Sequence, residues 1–450
     1  MAKRRESPNV IVFFTDQQRY DTTGVHGNPD QLTPNFDRMA LEGTFCKYAF
    51  TPQPVCGPAR ACLQTGKYAT TLGNYRNAIP LDISQKTMAH YFREAGYDTA
   101  YIGKWHLGTT RLAVPERERG GYEYWMGAGA LEASSRPYDT VVYDRENQRV
   151  KLPGNRIDGL TDCGIRYIDR HQEKPFFLFL SFLEPHFQNS NDSFPMPASM
   201  AAITRPYMPP DLNALKGTAH QHLPGYYGMV KRLDECLGRV QDALKSLGME
   251  KDTILMFTTD HGCHFKTRNG EYKRSCHESS IRLPLAIKGG PFDGGGTIQE
   301  LVSLVDIAPT LLDACHIPVP EDMQGHSLMP LILRQECTWR DCVFTQISEA
   351  EVGRAIRTHR WKYAVTAPGN DPFLDSGSDW YVESELYDLE ADPYELDNLI
   401  GMPSHRQLCD ILKEKLLGQM RMAGETEPQI ADAPQKECEK RQVFPGEELL

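Results

Sequence analysis

The sequence predicts an α/β protein: a large sheet flanked by helices over residues 1–335, and a small α+β domain over residues 336–450. Three observations carry this. Short apolar runs rich in Val, Ile and Phe recur, each leading into polar residues, as in buried strands of a mostly parallel sheet. Helical patterns lie between them, and alternating strands and helices build α/β layers. After about residue 335 the runs shorten and the connections become hairpin-like.

The elements follow in order. Val10–Phe14 leads into Thr15, Asp16 and Gln17; Thr99–Gly103 into Lys104, Trp105 and His106. Phe176–Phe182 leads into Glu184, Pro185 and His186; Ile254–Thr258 into Thr259, Asp260, His261 and Gly262. Ligands of open α/β sheets bind outside the carboxyl ends of the strands. Four strand ends carrying metal-capable or cationic groups therefore point at one shared site. Thr87–Ala95, closed by Gly96, and Tyr226–Leu247, closed by Gly248, read as helices. Cys342–Ile347, Gly353–Arg357, Trp361–Val365 and Glu385–Leu389 read as a four-stranded antiparallel sheet. Ser404–Met422 reads as an amphipathic helix, with Leu408, Leu412, Leu416 and Met420 recurring every four residues. From about Glu425 the chain is rich in Pro, Glu and Lys and is expected to wrap the surface or stay loose.

Composition narrows the function. A chain of 450 residues, 40% of them hydrophobic, can bury a full core. A net charge of -11 argues against a nucleic-acid partner. It leaves room for a local cationic site that takes an anionic substrate. Lys3, Arg4 and Arg5 precede an apolar run much shorter than the roughly 7–15 residues of a secretory core. No stretch nears the roughly 20 apolar residues of a membrane span. The expectation is a cytoplasmic protein with no membrane partner. The 12 cysteines are scattered without a C-x-x-C pair, which suits reduced thiols.

One cysteine stands apart. Residues 54–66 read Pro-Val-Cys-Gly-Pro-Ala-Arg-Ala-Cys-Leu-Gln-Thr-Gly, with the core C-x-P-x-R formed by Cys56, Pro58 and Arg60. Pro58 suits the first turn of a helix, where its missing N–H costs nothing. Cys56 then sits at a helix N-terminus, where free N–H groups and the dipole favour negative charge. Arg60, one turn on, can point back to the same spot. The bland alternative is an unmodified thiol with a lowered pKa.

This segment, with Leu63, Thr65 and Gly66, resembles the signature of the formylglycine-dependent (type I) sulfatases, of the alkaline-phosphatase-like superfamily. The resemblance runs over roughly residues 8–420. It includes Leu304–Asp313 and the Glu-Leu-Tyr-Asp-Leu segment within Glu385–Asn398. It implies a large mixed sheet between helices plus a small C-terminal four-stranded domain. It also implies that a separate maturase oxidises Cys56 to formylglycine (3-oxoalanine), an aldehyde that hydrates to a geminal diol. One hydroxyl attacks sulfur and displaces the alcohol; the other loses its proton and expels sulfate.

The resemblance implies further roles. Asp16, Gln17, Asp260 and His261, with the modified Cys56, would hold a divalent metal. Many members carry two Asp where this chain has Asp16 and Gln17, so one negative charge is missing. Oxygen ligands with one imidazole suit Ca²⁺, and the His also admits Mn²⁺. Lys104, His106, His186 and Lys273 would bind sulfate, with His186 or Lys273 as general acid. Arg76, Gln188, Asn189, Arg268 and His277 are candidates to face a polar substrate, with Glu184, Asn269 and Glu271 beside them. His277 could equally cap the turn before Arg282. Polar and cationic candidates favour O-sulfate on a small sugar over a purely aromatic sulfate. Alternatives are an arylsulfatase of broad specificity, a phosphodiester or phosphonate-monoester hydrolase of the same superfamily, or a binder whose Cys56 stays a thiol.

Overall fold

Burial on both faces decides which strands form the centre. The structure, a computed structural model, describes residues 7–294, 296–436 and 446. Among these, eleven strands form one sheet: β1 (Asn9–Asp16), β2 (Thr44–Phe50), β3 (Asp98–Lys104), β4 (Tyr124–Ala128), β5 (Thr140–Tyr143), β6 (Arg149–Leu152), β7 (Phe176–Pro185), β8 (Thr253–Thr259), β9 (Arg282–Leu283), β10 (Ala286–Lys288) and β11 (Gly296–Ser303). The order is β11-β2-β10-β8-β1-β7-β3-β4-β5-β6, with β9 also on β2. The central strands β8, β1, β7, β3 and β4 run parallel. β10 is antiparallel to β8 and β2, and β5 and β6 form an antiparallel pair at the far edge. The sheet is therefore mixed.

β1 is buried along its whole length, and its side chains alternate between two cores. Val10, Val12 and Phe14 pack with the helices Cys56–Thr65, Met88–Glu94 and Ile307–Ala314. Ile11 and Phe13 pack with Pro34–Glu42, Arg156–Arg170 and Ala219–Ser246. Each such burial contributes about 1.5–3 kcal/mol. This explains why the apolar runs read without alternation. Gly103 lets β3 approach β7: a Cβ there would meet the Ser181 carbonyl oxygen at 1.7 Å.

The second sheet contains β12 (Val343–Ile347), β13 (Gly353–Arg357), β14 (Trp361–Thr366), β15 (Trp380–Asp388) and β16 (Gln429–Ala431), in that order. The first four are the expected antiparallel strands, although β15 begins at Trp380 rather than Glu385. The fifth pairs parallel with β15 and comes from the tail. Lys3, Arg4, Arg5 and most of the tail beyond residue 436 lie outside the described residues. The helix Arg406–Met422 lays Leu408, Leu412, Leu416 and Met420 into a core with Ile356, Trp361 and Tyr363. The helix expected from Tyr226 begins earlier, at Ala219, and carries Pro224 within its second turn.

Candidate active site

Because β8, β1, β7 and β3 are parallel neighbours, their carboxyl ends share one edge of the sheet. Asp260 and His261, Asp16, His186 and Lys104 all emerge there. The helix Cys56–Thr65 begins at the same place, with Cys56 as its first residue. The Cys56 Sγ lies 2.8 Å from Lys273 Nζ, 3.2 Å from His261 Nε2 and 3.6 Å from Asp16 Oδ1. Burial alone would push this thiol up. Lys104, then Lys273, instead draws it well below its ordinary value.

A donor set surrounds it. Ligand atoms of Asp16, Cys56, Asp260 and His261 all lie within 4.8 Å of one another, and all four residues are buried. Gln17 Oε1 is buried without a hydrogen-bond partner, as is Asp260 Oδ2. Gln17 has a left-handed backbone (φ 66°). Its N–H donates to Asp260 Oδ1 at 3.0 Å, and its carbonyl accepts from the Tyr226 hydroxyl at 2.7 Å. His261 Nδ1 lies 2.9 Å from the Gly262 carbonyl, which fixes Nδ1 as the protonated nitrogen and turns the Nε2 lone pair toward Cys56. Burial, then the charge of Asp16, pushes the Asp260 carboxyl up to about 6. The unpaired Gln17 oxygen and the crowded acids fit a hard divalent cation, which would relieve both.

Cations line the rest. Arg60 is spent within the wall: its guanidinium reaches Asp16 Oδ2 at 2.8 Å, Asp260 Oδ2 at 3.3 Å, the Lys104 carbonyl at 3.0 Å and Ser181 Oγ at 2.8 Å. Lys104 Nζ lies 2.8 Å from Asp16 Oδ2 and 3.4 Å from Glu132 Oε1. Lys273 Nζ lies 3.1 Å from His261 Nε2 and 3.3 Å from His186 Nε2. His106 sits beside Lys104 with φ 61°, and its Nδ1 is buried without a partner. Left-handed backbones at Gln17, His106, Arg274 and Glu349 cluster around this site. Each costs energy that the packing must offset.

Most of the remaining candidates have partners of their own, apart from the donor set around Cys56. Arg76 donates to the Asn77 carbonyl, and Asn189 is exposed. Arg268 donates to the carbonyls of Tyr394 and Glu395, and Asn269 to those of Lys273 and Arg274. Glu271 pairs with Arg274 at 3.4 Å. His277 meets Glu385 and the Tyr387 hydroxyl, both at 3.3 Å. Glu184 pairs with Arg156 at 2.7 Å, and Gln188 accepts from the same guanidinium. Two acids at the site were not singled out from the sequence. Glu132 adjoins Lys104. Glu349 of the second unit accepts the Asn77 N–H and pairs with Arg274, while Asn77 Oδ1 accepts the Gly57 N–H at 3.0 Å.

A mixed sheet between helices, a second smaller sheet and a site at the strand ends define a hydrolase of the alkaline-phosphatase-like class. The chain belongs to the sulfatase family, whose sequence profile matches residues 8–317, and is a hydrolase of sulfate esters. The C-terminal profile of N-sulphoglucosamine sulphohydrolase matches residues 270–422. An ulvan-active sulfatase of Formosa agariphila is 31% identical over 431 residues, covering 91% of this chain and 80% of that protein. An N-acetylglucosamine-6-O-sulfatase of Bacteroides thetaiotaomicron is 26% identical, covering 98% of this chain and 90% of that one. A protein solved in complex with its substrate D-glucosamine-2-N,6-O-disulfate superposes with a TM-score of 0.77 at 25% identity, covering 95% of this chain and 99% of that one. A phosphonate monoester hydrolase of Agrobacterium radiobacter shares the fold, with a TM-score of 0.68 at 23% identity over 92% of this chain and 96% of that one. Among the described residues no helix is long and apolar enough to cross a membrane.

Proposed function

We propose that the chain hydrolyses an O-sulfate ester on a small sugar, using formylglycine made from Cys56. A divalent metal, Ca²⁺ or alternatively Mn²⁺, is held by Asp16, Gln17, Asp260 and His261. The observation that carries this is the position of Cys56 Sγ, between Lys273 at 2.8 Å and the Asp16/His261 donors. A formylglycine made from this residue would carry its oxygens among the same groups. The sugar is supported by the relatives named for ulvan and for N-acetylglucosamine 6-O-sulfate.

Formylglycine supplies a hydrated aldehyde as nucleophile, and the metal supplies positive charge beside it. The chain's own groups do the rest. Lys104 and Lys273 present ammonium groups to the sulfate oxygens, and Arg60 keeps Asp16 and Asp260 in place. His186 Nδ1 is committed to the Phe187 carbonyl at 2.7 Å, so its Nε2 accepts from Lys273. That tautomer supports Lys273, backed by His186, as the donor of the leaving-group proton. His106 adjoins Lys104 and completes the sulfate side of the pocket.

The test is mass spectrometry of the peptide bearing Cys56, from protein co-produced with a maturase, beside assays of sulfate esters. The expected result is the mass loss that replacing a thiol by an aldehyde requires, together with turnover. Cys56→Ala should lose about 10³-fold or more. An intact thiol in active protein would overturn the mechanism. The shared fold of the phosphonate hydrolase gives one rival: faster turnover of a phosphonate than of a sulfate with the same leaving group would favour it.

A further inference from the structure

We infer that Glu132 is a specificity residue whose carboxylate accepts a hydrogen bond from a hydroxyl or N–H group neighbouring the sulfate ester. This deepens the sulfated-sugar reading and rests on it. The argument starts from placement. Glu132 lies on the short helix Leu131–Ser134, just after β4, and β4 runs parallel to β3. It therefore emerges at the same sheet edge as Lys104. The segment is tied on both sides. The His106 N–H donates to the Gly129 carbonyl at 2.6 Å. The Gln188 side chain donates to the carbonyls of Glu132 and Ser135, both at 3.4 Å. Gly129 admits no side chain, because a Cβ would meet the Thr110 carbonyl at 2.0 Å.

The charges then decide the role. Glu132 Oε1 lies 3.4 Å from Lys104 Nζ, which already has Asp16 Oδ2 at 2.8 Å. Glu132 Oε2 is buried and has no hydrogen-bond partner, although the side chain as a whole is 13% exposed. Burial would raise this carboxyl, but the Lys104 ammonium 3.4 Å away holds it low and ionised. An ionised carboxylate can only accept hydrogen bonds. It repels sulfate, so it is no sulfate ligand. A buried acceptor left unpaired is costly, and what satisfies it must be a donor on the neutral part of the substrate. A ring hydroxyl or amide beside a secondary sulfate of a sugar is such a donor, whereas a simple aryl sulfate offers none.

Matched esters test this without knowing the sugar. The formylglycine-bearing enzyme is assayed on 2-hydroxyphenyl sulfate and 2-methoxyphenyl sulfate, which differ in one donor. The wild type should prefer the hydroxy ester in kcat/KM by about 10- to 100-fold, the size of a charge-assisted hydrogen bond. Glu132→Ala should bring the ratio near one. The isosteric Glu132→Gln should lower it and covers the case in which alanine does not fold. A wild-type ratio near one, or a ratio unchanged in both variants while both rates fall together, would overturn the proposal; the second result would leave Glu132 as an orienting partner of Lys104. Turnover of neither ester by formylglycine-bearing wild type would strike at the underlying sulfatase mechanism as well.

Discussion

Arg60 shows how far the site depends on buried charge. It is 2% exposed, and two carboxylates, a carbonyl and a hydroxyl converge on its guanidinium. Removing one partner of a buried ion cluster costs about 3–5 kcal/mol, because the other charges stay buried without compensation. A divalent cation between Asp16 and Asp260 would supply part of that compensation. Arg60→Leu should therefore destabilise chelator-treated protein by about 3–5 kcal/mol and metal-loaded protein by less. Urea unfolding in EDTA and in Ca²⁺ reads this, and an equal loss in both would mean that metal and guanidinium do not share the carboxylates. Asp16, Lys104, His186 and Asp260 were legible in the sequence because each follows an apolar run, and Cys56 because a motif surrounds it. Glu132 and Glu349 had no such context. A lone acid in a polar loop looks like solvated surface until tertiary structure brings it beside Lys104 or Asn77.

Among the elements, β15 carries a titratable group into the interface between the two sheets. Glu385 accepts from the Cys276 thiol at 2.9 Å and lies 3.3 Å from His277. Burial holds His277 well below its ordinary value, so this contact is a neutral hydrogen bond and not an ion pair. Burial pushes the Glu385 carboxyl from 4.5 to about 7; the Cys276 hydrogen bond opposes it, the charges of Glu351 and Glu395 add to it, and Arg268 opposes it least. The folded value lies above the unfolded one, so folding favours the protonated acid. That contribution is intact below about pH 4.5 and is lost as the pH rises through about 7. Glu385→Gln removes the titration and keeps the shape. Its stability relative to wild type should rise by about 2 kcal/mol between pH 5 and pH 8. Urea melts at the two values measure it, and a difference independent of pH would sink the idea. The central strands were readable because runs buried on both faces need no alternation. β16 was not: Gln429–Ala431 is three residues long, too short to show a period, and becomes a strand only because β15 offers an edge. The start of the Ala219–Ser246 helix was hidden by Pro224, which removes one N–H yet is tolerated where the next turns are packed.

At the scale of the molecule, the smaller sheet is joined to the catalytic unit by buried charge as well as by apolar contact. Cys62, Tyr68, Ala69 and Val305 belong to the same core as Trp361, Tyr363 and Leu412. Beside that core, Lys362 of β14 is fully buried and lies 3.0 Å from Glu278 and in contact with Glu395. Glu278 also meets Arg357 of β13 at 3.3 Å and pairs with Arg282 at 3.6 Å. Its N–H donates to Glu395 Oε2 at 2.8 Å. Glu278 follows the loop that carries Lys273, so this cluster fixes the second unit against that segment. Lys362→Met keeps the stem and removes the charge. Glu278 retains its two arginines, but Glu395 loses its ion-pair partner. The variant should lose about 3–5 kcal/mol of stability. If the two units fold together, it should still unfold in one transition, reported alike by far-UV circular dichroism and by tryptophan fluorescence, since Trp105 and Trp125 lie in the first unit and Trp361 in the second. Two separated transitions in the variant would mean that Lys362 joins domains that fold independently; an unchanged midpoint would mean that the cluster contributes nothing net, as a well-packed apolar replacement can match a buried ion pair.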